Sequence, residues 1–140
     1  LTRERATPTL INAPEVLSIP VEECGEPLVD LPNYPVLTTT DHPRATSPAE
    51  SRLHCRASVA DRLLAADRAL PDDMKLLVLE CHRPPELQER YWKEALQALR
   101  DKQPGWSDED LVRENAKFVA PPWEIPPHCT GAAVDLVLVD

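Results

Sequence analysis

Apolar residues cluster along the chain in patterns that separate strands from helices. Met74 to Cys81 is a nearly continuous apolar run, and Val134 to Val139 is a second one in which only Asp135 is polar. Runs of this length, rich in Val and Leu, predict buried strands. Between about Ala49 and Leu70 the spacing changes to three and four, with Val59, Leu63, Ala66 and Leu70 on one stripe. That period predicts a helix, with Ser58 a candidate cap, Pro71-Asp72-Asp73 a stop, and Asp61, Arg62, Asp67 and Arg68 on solvated faces. Leu87, Tyr91, Ala95 and Leu99 mark a second helix from about Glu86 to Arg100, its apolar stripe widened by Trp92 and Leu96. A third begins after the break at Asp101–Gly105, capped by Ser107 and continuing to about Lys117. Asp108, Glu109 and Asp110 suit the positive end of its dipole.

Proline organises the rest. Residues 1 to about 50 carry prolines at 8, 14, 20, 27, 32, 35, 43 and 48, which exclude a long helix and leave room for short strands such as Leu17 to Val21. Leu28-Val29-Asp30-Leu31 fits a sheet edge, with Asp30 capping a turn. Phe118 to Pro127 is again extended. The elements add up to one α+β domain over residues 1–140: an extended arm over 1–50, then helices and core strands over 51–140. Two or three helices should pack on a small, mainly antiparallel sheet.

Charge narrows the possible partners. A formal charge of -9 and a pI near 4.9 supply no basic patch for phosphates, so neither nucleic acid nor an anionic membrane is expected as a partner. No apolar run is as long as a membrane span, and no charged-then-apolar leader opens the chain, whose first residue is Leu. A small soluble ligand fits better. Cys24, Cys55, Cys81 and Cys129 form no Cys-x-x-Cys pair, and they read as free thiols of a reducing compartment such as the cytoplasm. His42 and His54 lie in or beside polar stretches and read as surface residues.

Asp135 is the anomaly. An ionised carboxylate inside an apolar strand must be paired or must ligate a metal, because burying it alone costs several kcal/mol. His128, upstream across the small-residue turn Thr130-Gly131-Ala132-Ala133, is its nearest companion in sequence. Arg83 is a second anomaly. The proline after it stops the strand and projects the guanidinium from a rigid corner, either into a surface ion pair or over a neighbouring site.

The segment His128-Cys129-Thr130-Gly131-Ala132-Ala133-Val134-Asp135-Leu136 resembles the His-x-x-Gly-x-Ala-Val-Asp-Leu signature of the D-alanyl-D-alanine dipeptidase family of zinc peptidases. Glu80-Cys81-His82-Arg83-Pro84-Pro85-Glu86-Leu87-Gln88 resembles the same family's strand-to-helix corner. Phe118 to Pro122 and Glu23 to Leu31 are also family-like. The resemblance implies a D,D-peptidase-like zinc fold, with His128 and Asp135 as metal ligands and Arg83 as stabiliser of the charge on the scissile carbonyl oxygen. It implies a zinc ion as cofactor and a short peptide, D-Ala-D-Ala first, as substrate. Cys129, beside a ligand, is open as a soft fourth donor, an oxidation-sensitive neighbour or a bystander.

Two departures accompany the likeness. His82 stands where relatives often carry an aromatic residue, and Pro126 where they often carry serine. The family's third ligand, a histidine, and its glutamate base lie downstream of the aspartate. The C-terminal part of the fold is therefore expected to come from outside this chain, from a missing segment or a second polypeptide. Glu80, Glu86 and Glu124 do not match that base and have ready surface or ion-pair roles. A non-catalytic binding module, or a biosynthetic peptidase or transferase acting on another amide, are the competing functions.

Overall fold

The computed structural model describes residues 9–38 and 53–140. Its first element is a single helical turn, α1 (Pro14–Leu17), opened by the proline at its first position. Among the described residues no strand forms over Leu17 to Val21: Pro14 presets helical φ, Leu17 ends α1, Ser18 stays in the right-handed helical region and Ile19 lies in a bend. Strand β1 (Leu28–Asp30) leads into a short helical turn over Leu31–Asn33, in which Leu31 is fully buried. Strand β2 (Leu37–Thr38) follows, and after the gap come β3 (His54–Arg56) and α2 (Ala57–Arg68).

Helix α2 starts later than its periodicity suggested, because residues 54–56 pair with β1 in an antiparallel ladder that sets Val29 opposite Cys55. Ser58 does not cap it. The helix N-cap is Arg56, and the Ser58 N–H is satisfied from outside by the Glu26 carboxylate at 2.9 Å. Asp67 is also not on a solvated face. It is buried, accepting the Leu76 N–H at 2.8 Å and facing Lys75 at 3.7 Å, so it ties the end of α2 to the next strand. His42 lies outside the described residues.

Strand β4 (Lys75–Glu80) is the core strand that the apolar run predicted. It pairs in parallel with β2 and in antiparallel fashion with β5 (Asp135–Val139), giving a three-stranded sheet beside the two-stranded β1–β3 sheet. Helix α2 covers β4, and Leu31, Val36, Cys55, Ala60, Leu63, Leu76, Val78 and Cys81 form the core. Beyond β4, which ends at Glu80, Pro84 and Pro85 start α3 (Pro85–Lys102), which buries Leu87, Gln88 and Trp92. Ser107 then caps α4 (Asp108–Asn115) by accepting the Asp110 N–H at 3.1 Å. The architecture is α+β.

The last strand departs from expectation. Among the described residues β5 has β4 as its only ladder partner, and Leu136 and Leu138 remain 40% and 52% exposed. Those two residues stand opposite the buried Val78 and Leu76, so the core face continues across β5 and loses its cover there. Asp135 is consequently at the start of an exposed edge strand, not in the middle of a buried one. No helix among the described residues is long and apolar enough to cross a membrane.

Candidate functional site

The strand-to-helix corner after β4 fixes Arg83. Its Nε donates to Glu80 Oε1 at 2.7 Å, and its Nη1 donates to Gln88 Oε1, also at 2.7 Å. Gln88, 1% exposed, passes the restraint on by donating Nε2 to the Ala120 carbonyl at 2.7 Å. The guanidinium carbon also lies 4.9 Å from the centroid of the Tyr91 ring, within cation–π range. Glu80 is 3% exposed, so its ion pair with Arg83 is buried on that side. A long side chain that would ordinarily sample many rotamers is thus held between a strand end and a helix face.

His128 sits in a single helical turn over Pro127–Thr130, entered from Pro126 and ended by Gly131 in the left-handed region at φ 74°. Its Nδ1 lies 2.7 Å from the Cys81 carbonyl. A carbonyl can only accept, so Nδ1 carries a proton and Nε2 points to the other side, as an N–H in the imidazolium or as a lone pair in the neutral ring. Nε2 faces Asp135 Oδ1 at 3.6 Å, an ion pair when the ring is protonated. The Arg83 N–H donates to the His128 carbonyl at 3.1 Å, which joins the corner to the turn. Asp135 opens β5 opposite Glu80, at the irregularity where the register shifts. The three residues singled out from the sequence, Arg83, His128 and Asp135, therefore line one cavity of about 480 Å³, together with Glu80, Gln88 and Tyr91.

The two ligand candidates perturb each other. The hydrogen bond to His128 lowers the Asp135 carboxyl below its ordinary range, outweighing the opposing effect of burial. Burial is the largest influence on His128 and disfavours its charge, but the hydrogen bond to Asp135, the Cys81 carbonyl and the Asp135 charge together raise its pKa.

A metal fits this pair. Zinc takes imidazole nitrogen and carboxylate oxygen at about 2.0–2.2 Å, so two such donors of one tetrahedral ion are separated by roughly 3.3–3.6 Å. The 3.6 Å between Nε2 and Oδ1 agrees. A ligating histidine also needs its other ring nitrogen fixed by an acceptor, and Cys81 supplies one. Among the described residues no group of three or more His, Cys, Asp or Glu side chains is placed to hold a metal.

Cys129 lines a separate groove of about 1070 Å³, and its half-burial pushes the thiol pKa up. All four cysteines are free. Glu86 and Glu124 are exposed and do not line the cavity that holds His128 and Asp135. Residue-by-residue reading missed the grip of Glu80 and Gln88 on Arg83 and the role of the Cys81 carbonyl. Glu80 and Gln88 stood inside the resembling motif, but their partners follow from the corner's geometry.

The chain is 30% identical over 142 residues to a D-alanyl-D-alanine dipeptidase of Synechocystis sp., an alignment covering 89% of this chain and 58% of that protein. The chain is similar to the D-alanyl-D-alanine dipeptidases. This agrees with the motif resemblance, and the chain spans about 58% of the length of the curated relative it matches. No family model matches. Two solved structures are similar. The vancomycin-resistance D,D-pentapeptidase VanY of a VanB-type cassette, in complex with Zn(II), is 23% identical with a TM-score of 0.45, over 59% of this chain and 46% of that one. VanYB in complex with D-alanine-D-alanine is 22% identical with a TM-score of 0.47, over 72% of this chain and 57% of that one.

Proposed function

We propose that residues 1–140 are the N-terminal portion of a zinc-dependent peptidase acting on a D-Ala-D-Ala-type dipeptide. The observation that carries this reading is the pairing of His128 and Asp135. Nδ1 is tied to the Cys81 carbonyl, and Nε2 faces Oδ1 at 3.6 Å on the cavity that Arg83 also lines. His128 and Asp135 would hold the zinc ion. When bound, zinc supplies a Lewis acid for the peptide carbonyl and acidifies a water towards neutrality.

The chain's own residues supply the rest of what is proposed here. Arg83, held by Glu80 and Gln88, offers a fixed positive charge to the oxygen on which negative charge develops during amide cleavage. Because two of its nitrogens are already engaged, little reorganisation is needed when that charge appears. Gln88 and Tyr91 hold the guanidinium in the cavity. The third ligand and the general base are proposed to come from outside this chain, from a downstream segment or a second polypeptide. We further propose that the protein works in a reducing compartment, where its four free thiols would persist.

The test is D-alanine release from D-Ala-D-Ala by the intact protein, with zinc quantified on the same sample. His128→Ala and Asp135→Asn should lose zinc and activity together. Arg83→Ala should keep zinc and lose about 10²–10³ in kcat. Retention of zinc by His128→Ala, or of the full rate by Arg83→Ala, would overturn the assignment. A non-catalytic binding module on the same fold is the alternative reading. Intact protein that is metal-free and inactive would establish that alternative.

A further inference from the structure

The turn that separates His128 from Asp135 is held from outside at both ends: the Arg83 N–H donates to the His128 carbonyl at 3.1 Å, and Arg56 grips the Thr130–Gly131 end. Arg56, at the end of β3, donates its backbone N–H to the Gly131 carbonyl at 2.9 Å and its side-chain Nε to the Thr130 carbonyl at 2.9 Å. Its Nη1 donates to the Glu26 carbonyl, and its Nη2 meets Glu23 Oε2 at 2.8 Å. The side chain is 21% exposed, so these contacts are partly shielded from water. Internal hydrogen bonds also shape the turn: Thr130 Oγ1 to the Pro127 carbonyl at 2.6 Å, Ala132 N–H to Thr130 Oγ1 at 3.1 Å, and Gly131 N–H to the His128 carbonyl at 3.3 Å. Internal bonds fix the turn's shape. The Arg83 N–H and the Cys81 carbonyl anchor its His128 end beside β4, and Arg56 anchors its Thr130–Gly131 end to β3 and the Glu23–Glu26 segment.

We propose that Arg56 is a positioning residue that sets the separation of His128 and Asp135 for metal binding. The proposal rests on the zinc reading of the site. Its chemistry depends on the guanidinium fork. Arginine presents several N–H donors in a rigid plane and can satisfy two carbonyl oxygens and a carboxylate at once. Lysine carries one flexible ammonium, which can keep the charge pairing with Glu23 but cannot also hold Thr130 and Glu26 in fixed directions. If the turn drifts, each ligand remains present but the pair no longer meets one ion at the right distance. Partners that orient metal ligands in this way are typically worth about ten- to a hundredfold in affinity.

The experiment measures zinc affinity of the intact protein by competition with a chromophoric chelator, well below the melting temperature, alongside the melting temperature of metal-free protein. Arg56→Lys should weaken zinc by about tenfold or more, and Arg56→Gln, a second variant should the first fold poorly, should do the same. Glu23→Gln removes the ion pair but leaves the Thr130 contact, so its affinity should stay within about twofold of the parent. The visible spectrum of the cobalt-substituted protein should shift in both Arg56 variants and not in Glu23→Gln. A purely structural Arg56 would lower the melting temperature and leave zinc affinity and the cobalt spectrum alone. That result would overturn the proposal while the zinc site stands. A parent protein that binds no zinc would overturn both.

Discussion

Gly131 offers a sharp test of how the turn is built. Its φ of +74° lies in the left-handed region, and an added Cβ would sit 2.5 Å from Leu28 Cδ2. Carbon atoms in contact are normally about 3.5–4.0 Å apart, so Gly131→Ala creates an overlap of roughly 1 Å. The backbone penalty for an L-residue at this φ is about 1–2 kcal/mol. Leu28 is 40% exposed and can swing aside, which keeps relief of the overlap near the lower end of the usual range, about 1 kcal/mol. Loss of glycine's freedom in the unfolded chain offsets about 0.4–1 kcal/mol. The expected net destabilisation is about 2 kcal/mol, a sizeable share of the roughly 5–15 kcal/mol that holds a domain together. Urea unfolding should show a lower midpoint with unchanged slope. Combining Gly131→Ala with Leu28→Ala should recover the overlap component, about 1 kcal/mol of coupling, and leave the backbone component. An unchanged midpoint for Gly131→Ala, or zero coupling with Leu28→Ala, would refute the reasoning.

The remaining expectations concern protonation, the Arg83 grip and Asp67. The raised pKa of His128 contributes stability that is complete below its ordinary value of 6.5 and lost as pH rises through the folded value. The lowered pKa of Asp135 contributes above 3.8 and is lost as pH falls through its folded value. Metal-free protein should therefore lose this component of stability as pH rises above 6.5, while zinc affinity rises over the same range because the imidazole must shed its proton. Denaturation midpoints across that range would check the slope, which Asp135→Asn should flatten. Gln88→Leu removes the link between Arg83 and the Ala120 carbonyl, and should cost about 1–3 kcal/mol and lower kcat more than it raises KM. Asp67→Ala strands the Leu76 N–H and should cost about 1–3 kcal/mol in urea unfolding with no effect on zinc affinity.

Local physics wrote much of the chain's structure into its sequence. The apolar run to Cys81 followed by two prolines is enough to specify a strand that stops and a helix that starts, because proline cannot donate to a ladder yet fits a helix's first turn. Ser107 with its acidic followers marks the start of α4 for the same kind of short-range reason. His128 and Asp135 are seven residues apart across a glycine turn, so their convergence was also readable, and the family resemblance named both together with Arg83.

What needed the tertiary structure depends on register between distant segments. Whether β5 is covered or exposed depends on which elements reach its outer face, and its Val-Leu composition is the same in either case. Asp67 looks like any helix-surface carboxylate until β4 brings the Leu76 N–H to it. Arg83 occupies its cavity because α3 turns Gln88 back onto it and because Glu80 precedes it on the strand. Arg56 reaches a carbonyl 74 residues away, a contact for which no local pattern exists. Sequence periodicity records which face of an element is apolar. The partners of individual polar groups are decided when strands and turns dock, since a hydrogen bond requires alignment to within tenths of an ångström that composition and spacing do not encode.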